Sequence, residues 1–226
     1  WYFAGKNKHT GAVYLNDQML YEADSLDACL KGEVYECSWN PEASVYKWYS
    51  EQDTAGNGTM IYANFQGKNP NEEKVEINVR RECFFPEKTG RNYITVSDFR
   101  IEKAATTWAP PAAFQDGMIG PHWSKGWIIE DCDISNSKCA GISLGKYLDP
   151  DNEHYFTNKH VKSPTQMERD AVCRGQYHGW LKEKVGSHII RRCNIHNCEQ
   201  GGIIGRMGGV FSIIEDNHIH HINNMM

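Results

Sequence analysis

An eight-residue pattern recurs along the second half of this chain, in copies too short to be helices. Trp127-Ile128-Ile129-Glu130-Asp131-Cys132-Asp133-Ile134 returns as His188-Ile189-Ile190-Arg191-Arg192-Cys193-Asn194-Ile195, and again as Ser212-Ile213-Ile214-Glu215-Asp216-Asn217-His218-Ile219. A weaker copy, Ile94-Thr95-Val96-Ser97-Asp98-Phe99-Arg100-Ile101, precedes them. The shortest interval, from His188 to Ser212, matches one coil of a parallel β-helix, and repeats on this scale indicate a stacked solenoid. In such a fold, sequence offsets convert directly into spatial neighbours.

The implied columns are chemically consistent. Overlaying the three best copies stacks Glu130, Arg191 and Glu215 at one position and Asp131, Arg192 and Asp216 at the next. Neighbouring strands lie about 4.8 Å apart, so each column alternates in sign up the stack and avoids like-charge pairing. Cys132, Cys193 and Asn217 share a third position, while Ile129, Ile190 and Ile214, and Ile134, Ile195 and Ile219, form apolar columns. These are read as the wall and core of successive coils.

With 226 residues the chain can bury a substantial core in one or two domains. A net charge of −5 gives no reason to expect nucleic acid or an anionic membrane as partner. No apolar run is long enough to span a bilayer. Because the chain opens on Trp1 and stops inside a repeat at Met226, it is expected to be a segment of a longer protein. Its missing targeting signals then say nothing of compartment. None of the eight cysteines forms a C-x-x-C pair, so a zinc ribbon or thioredoxin-like site is not expected. Buried free thiols in a reducing compartment are the preferred reading, which tilts localisation toward the cytoplasm without fixing it. Cys132 and Cys193 nevertheless share a column and are expected to approach one another. His218, His220 and His221 lack companions to complete four ligands, so no metal or other cofactor is assigned.

The first 90 residues have a different texture. Ala12-Val13-Tyr14-Leu15 runs into the turn signal Asn16-Asp17. Val45–Ser50 is separated by Ala55-Gly56-Asn57-Gly58 from Thr59–Phe65, and Lys74–Arg80 alternates cleanly. Short alternating strands between turn residues predict an antiparallel β-sandwich over 1–90. Asn57-Gly58-Thr59 is read as a hairpin turn rather than a glycosylation site. The β-helix coils are assigned to 91–226, with loop insertions at 104–125 and 147–186. The second insertion is expected to hold one helix, with Ser163 as N-cap, Pro164 at the first position and Gln166 completing a capping box.

Several strings resemble glycoside hydrolase family 120: Thr59-Met60-Ile61-Tyr62-Ala63-Asn64-Phe65-Gln66-Gly67, Asn69-Pro70-Asn71-Glu72-Glu73, Val75-Glu76-Ile77-Asn78-Val79-Arg80-Arg81, Trp108-Ala109-Pro110-Pro111, Gly120-Pro121-His122-Trp123-Ser124-Lys125-Gly126-Trp127 and Gly208-Gly209-Val210-Phe211-Ser212. The resemblance implies an all-β fold, a right-handed parallel β-helix with an inserted β-sandwich. It also implies retaining, exo-acting hydrolysis of β-xylosides, with xylobiose or short xylo-oligosaccharides as substrates, an Asp nucleophile and a Glu acid/base. The full-length protein is open to homo-oligomerisation. By the resemblance both acids lie on coils after Met226, so no catalytic residue is assigned within this chain. Glu130, Asp131, Glu215 and Asp216 are instead expected to be ion-paired with Arg191 and Arg192, which makes them poor general acids.

The segment is expected to supply part of a sugar pocket. Trp1 aligns with a tryptophan that, in the family, reaches the bound xylose. Gly141-Ile142-Ser143-Leu144-Gly145-Lys146 and Gly202-Ile203-Ile204-Gly205-Arg206 occupy equivalent stretches of two coils. The implied nucleophile follows the same pattern on a later coil, four residues past its glycine, an offset that Gly145 and Arg206 occupy here. The candidate substrate-binding residues are therefore Trp1, His122, Trp123, Lys125, Ser143, Lys146 and Arg206. Two other readings stand beside this one, a polysaccharide lyase on the same architecture and a non-catalytic binding or scaffold module. Apolar strand edges after the last repeat are expected to make this segment associate.

Overall fold

The computed structural model of the chain describes residues 11–52, 58–106, 115–145, 164–178, 180–205 and 207–222. The chain separates into two compact units, one running to Val79 and the other from Arg80 to Ile222.

In the first unit, β1 (Val13–Leu15) turns through Asn16 and Asp17, both at positive φ (50° and 67°), into β2 (Gln18–Met19). Two consecutive left-handed residues make the tight hairpin that this dipeptide favours. β3 (Tyr21–Glu22), helix α1 (Leu26–Lys31), β4 (Lys47–Gln52), β5 (Thr59–Asn64) and β6 (Val75–Ile77) follow. They assemble into two three-stranded sheets, β2-β1-β6 and β3-β4-β5. Alternate residues of β1 serve two cores. Val13 and Leu15 join Leu20 and Trp48, while Tyr14 packs with Ala12 and Met19. One feature departs from the expected antiparallel arrangement, since β3 pairs with β4 in parallel. The intervening segment includes α1, and a parallel pair requires just such a crossover. That helix was not anticipated, although its caps are legible: Ser25 accepts the Ala28 N–H at 3.2 Å, and Gly32 ends the helix at φ 58°.

The second unit is a three-sheet parallel β-helix. Its elements are β7 (Thr95–Ser97), β8 (Arg100–Glu102), β9 (Gly117–Ile119), β10 (Ile128–Glu130), β11 (Asp133–Ser137), β12 (Ala140–Ser143), α2 (Pro164–Tyr177), β13 (Ile189–Arg191), β14 (Asn194–Cys198), β15 (Gly201–Ile204), β16 (Ile213–Glu215) and β17 (His218–Ile222). The sheets run β16-β13-β10-β7, β17-β14-β11-β8 and β15-β12-β9. Ile129 pairs with Val96 and Ile190, and Glu130 with Ser97 and Arg191, as the overlay of repeats requires. Arg191 in turn stands opposite Glu215.

Coil corners are set by single left-handed residues at constant register. Tyr93, Gly126, Ser187 and Phe211 precede the first sheet; Asp98, Asp131, Arg192 and Asp216 separate the first from the second. Lys103, Asn136, Asn197 and His221 close the second. Only Gly, and to a lesser degree Asn and Asp, visits this region cheaply. The remaining members are held there by the stack.

The core is filled by the predicted columns, with Ile129, Ile190, Ile134 and Ile195 at 0–1% exposure and Trp127 fully buried. At the last described coil, Ile214 and Ile219 are 51% and 43% exposed.

The stretch 104–125, expected to be a loop, contains β9. Ile119 pairs with Ile142, which pairs with Ile203, so this segment is a coil strand. Its signature is hidden because Gly117 sits where a Cβ would come 2.4 Å from the Ser143 nitrogen. A residue that must be Gly for close approach reads in sequence as a strand breaker. The helix expected in 147–186 is α2, starting at Pro164. Ser163 and the Trp108–Pro111 string lie outside the described residues.

Candidate functional site

The strands β9, β12 and β15 end at loops that stack like the strands themselves. Ser143 pairs with Ile204, and a Cβ on Gly120 would fall 1.9 Å from the Ser143 carbonyl oxygen. Two residues further on, Gly145 (φ 90°) lies against the next loop, where an added Cβ would meet the Trp123 nitrogen at 2.8 Å. Gly208 N–H donates to the Gly145 carbonyl at 2.9 Å, and Trp180 Nε1–H to the Met207 carbonyl at 2.9 Å. The loop carrying His122 and Trp123 thus sits beside the loop after β12, which in turn touches the loop after β15.

His122 is 8% exposed and its Nδ1 hydrogen-bonds the Pro86 carbonyl at 2.7 Å. That carbonyl can only accept, so Nδ1 carries the proton. The ring packs on Phe85 at 4.8 Å. His122 and Trp123 both have positive φ (47° and 53°). Consecutive left-handed residues other than Gly, Asn and Asp are held only where surroundings enforce them, and such strain concentrates at functional sites. Lys125 bridges to Gly186 in parallel and donates its backbone N–H to Asn92 Oδ1 at 2.9 Å. Ser143 is 2% exposed, and its hydroxyl donates to the Gln115 carbonyl at 2.7 Å. Its side chain therefore pins the segment leading into β9. Of the sequence candidates, the geometry brings together His122, Trp123 and Ser143 around Gly145. Trp1, Lys146 and Arg206 lie outside the described residues.

Of the acids on the repeated strands, Glu130 and Asp131 are engaged as ion pairs. Arg191 Nε lies 2.7 Å from Glu130, and Arg192 Nη2 lies 2.9 Å from Glu130 and 2.6 Å from Asp131. Hydrogen bonds from Arg191 to Glu130, and from Arg192 to Asp131, hold both carboxyls below their usual range. They stay ionised and cannot donate a proton near neutrality. Both guanidinium groups turn toward this one coil. Among the described residues, neither Glu215 nor Asp216 forms an ion pair, although both were expected to share the arginines.

A cluster not singled out in sequence lies at the start of β9. Asp116, 2% exposed, accepts from Arg81 Nε at 2.5 Å and also from Arg81 Nη2. Burial raises its pKa against the pull of Arg81, and burial likewise raises that of neighbouring Glu82. Asp116 is sealed from solvent, so its role is to hold the segment before β7 against β9. The only sequence signal was its place beside the glycine that opens a strand.

Histidines gather on the outer face of β14 and β17. His196 stacks on His220 at 4.9 Å with rings 4° apart, and His218 lies 4.4 Å from His220. Among the described residues no group of three or more His, Cys, Asp or Glu side chains is arranged to hold a metal ion.

Residues 1–77 match the model of the glycoside hydrolase 120 insertion domain. A solved structure described as the complex of XylC with xylose is 48% identical to this chain, with a TM-score of 0.85. The match covers 95% of this chain and 35% of that one, so the chain spans about a third of the length of this relative. No curated protein matches it. The repeat register, the paired sheets of the first unit and these two matches agree: the chain carries a glycoside hydrolase 120 insertion domain over residues 1–77 and is similar to XylC over nearly its whole length.

Proposed function

We propose that this chain is part of a retaining, exo-acting β-xylosidase that releases xylose from xylobiose and short xylo-oligosaccharides. The observation that carries this reading is the 48% identity, over nearly the whole chain, to a structure of XylC holding xylose. The architecture suits the chemistry. Retention needs two carboxyl groups about 5–5.5 Å apart, one as nucleophile and one as acid/base. Coils repeat at about 4.8 Å, so acids on adjacent coils meet that spacing without unusual backbone. Glu130 and Asp131 are neutralised by arginine and unsuited to either role. By the family resemblance, the Asp and Glu pair is assigned to coils after Met226.

On this reading the segment contributes binding. His122, Trp123 and Lys125, from the loop after β9, line one side of the pocket, with Lys146 and Arg206 following on later coils. By the family resemblance, Trp1 is a further candidate for sugar contact, since aromatic rings suit the apolar C–H faces of sugars. Ser143 supports the wall through its bond to Gln115.

Hydrolysis of 4-nitrophenyl β-D-xyloside, by this chain and by a protein of XylC length that contains it, tests the proposal. Activity confined to the longer protein is expected. Activity in the chain alone would place the acids among residues 1–226 and overturn the assignment. Silence from both, with folded protein, would refute the xylosidase reading itself.

A further inference from the structure

Cys132 and Cys193 occupy one column on adjacent coils. The backbone repeats the same bond at this position through three steps: Asp133 N–H to the Phe99 carbonyl, Asn194 N–H to the Cys132 carbonyl and His218 N–H to the Cys193 carbonyl, each 2.9 Å. The two cysteines are therefore in register, with Phe99 on one side and Asn217 on the other. Both are free and both are 2% exposed. Their thiols occupy equivalent places on successive coils, Cys132 Sγ donating to the Glu130 carbonyl at 3.2 Å and Cys193 Sγ to the Arg191 carbonyl at 3.4 Å. Cα atoms on neighbouring strands lie about 4.8 Å apart, inside the roughly 4.4–6.8 Å that a disulfide spans. Bridging them asks for a side-chain rotation and little backbone movement.

We propose that Cys132 and Cys193 form an oxidation site, a dithiol that closes into a disulfide stapling two successive coils when it meets hydrogen peroxide. The thiol pair is asymmetric. The neighbouring Cys193 thiol lowers the pKa of Cys132 in spite of burial, and the Cys132 thiol, with burial, raises that of Cys193. Cys132 is the attacking sulfur. Its thiolate attacks one peroxide oxygen, the O–O bond breaks, and sulfenic acid and hydroxide result. Cys193 Sγ then attacks the sulfenic sulfur; the S–S bond forms, the S–O bond breaks, and hydroxyl leaves with the Cys193 proton as water. Two thiols lose two electrons and peroxide is reduced to two waters. Cys198, also buried, has its pKa pushed up to about 12 and stays a thiol.

The test uses the full 226-residue chain. Exposed Cys37, Cys83 and Cys173 are first alkylated in the folded protein, which is then treated with peroxide. Intact mass should fall by two hydrogens, and peptide mapping should show Cys132 joined to Cys193, with fragmentation separating Cys193 from Cys198. Dithiothreitol should restore both. In Cys193→Ala, Cys132 should be captured as a sulfenic acid by dimedone, and Cys132→Ala should give neither product. A cross-link between other cysteines, or over-oxidation of Cys132 with Cys193 left reduced, would overturn the proposal. The wild-type peptide map alone decides the matter if either variant fails to fold.

Discussion

Truncating the same isoleucine column at different heights isolates what coil stacking contributes. Ile134 and Ile195 are fully buried, whereas Ile219, in the same column, is 43% exposed. Ile→Ala removes three carbons, about 2.4 kcal/mol of transfer free energy at roughly 0.8 kcal/mol each. At Ile134 the surrounding coils keep their positions, so a cavity term brings the expected loss to about 3–4 kcal/mol. At Ile219 only a little over half of the side chain leaves water on folding, and the space left opens to solvent. The loss there should be about 1.4 kcal/mol. Urea unfolding followed by circular dichroism, with midpoints and slopes compared, measures both. Ile195→Ala should behave as Ile134→Ala. Equal losses at Ile134 and Ile219 would refute the reasoning, since the column would then not be capped unequally at its two heights.

Gly120→Ala should destabilise by at least about 2 kcal/mol because the new Cβ meets the Ser143 backbone, whereas Gly58→Ala, with nothing within 4 Å, should be near neutral by thermal melting. His188 is 1% exposed and burial lowers its pKa to about 4. The unfolded histidine binds its proton near pH 6.5, so stability is present above that value and is lost as pH falls toward 4, by about 3 kcal/mol in all. His188→Phe should flatten that part of the pH–stability curve measured by urea unfolding. The exposed Ile213, Ile214 and Ile219 edge should make the 226-residue chain self-associate, which sedimentation will show as a concentration-dependent mass. A strictly monomeric chain would count against it.

The β-helix was legible because a strand repeated in register exposes itself by overlay, and Ile129, Ile190 and Ile214 carry the period. β9 was not legible, because Gly117, Gly120 and Pro121 are residues that break strands elsewhere. Helix α1 was missed for a different reason. Six residues are too few to show an apolar period, and only the caps at Ser25 and Gly32 mark it. The ion pairs were half legible. Register placed Arg191 between Glu130 and Glu215, but which way a long side chain turns depends on three-dimensional competition, and both arginines turned to one coil. At the candidate site, the sequence singled out His122 and Trp123 as a Pro- and Gly-bounded loop and Ser143 by overlay of two coils, without joining them. It could not say that the Ser143 hydroxyl is spent on Gln115, because that carbonyl is contributed by a segment with no repeat of its own.

The left-handed corners have a bearing on how such a protein can change. Each coil closes on the same few backbone angles, at residues as different as Tyr93, Ser187, Asp131 and Arg192. A coil is thus a module whose fit to its neighbours is decided at its corners, and any length of chain can be spliced between two of them without shifting a column. The connection from β12 to β13, which includes α2, is far longer than that from β15 to β16, and the Ile142–Ile203 pairing is kept all the same. Variation in the walls of a pocket can therefore accumulate in such segments while the ladder beneath stays constant.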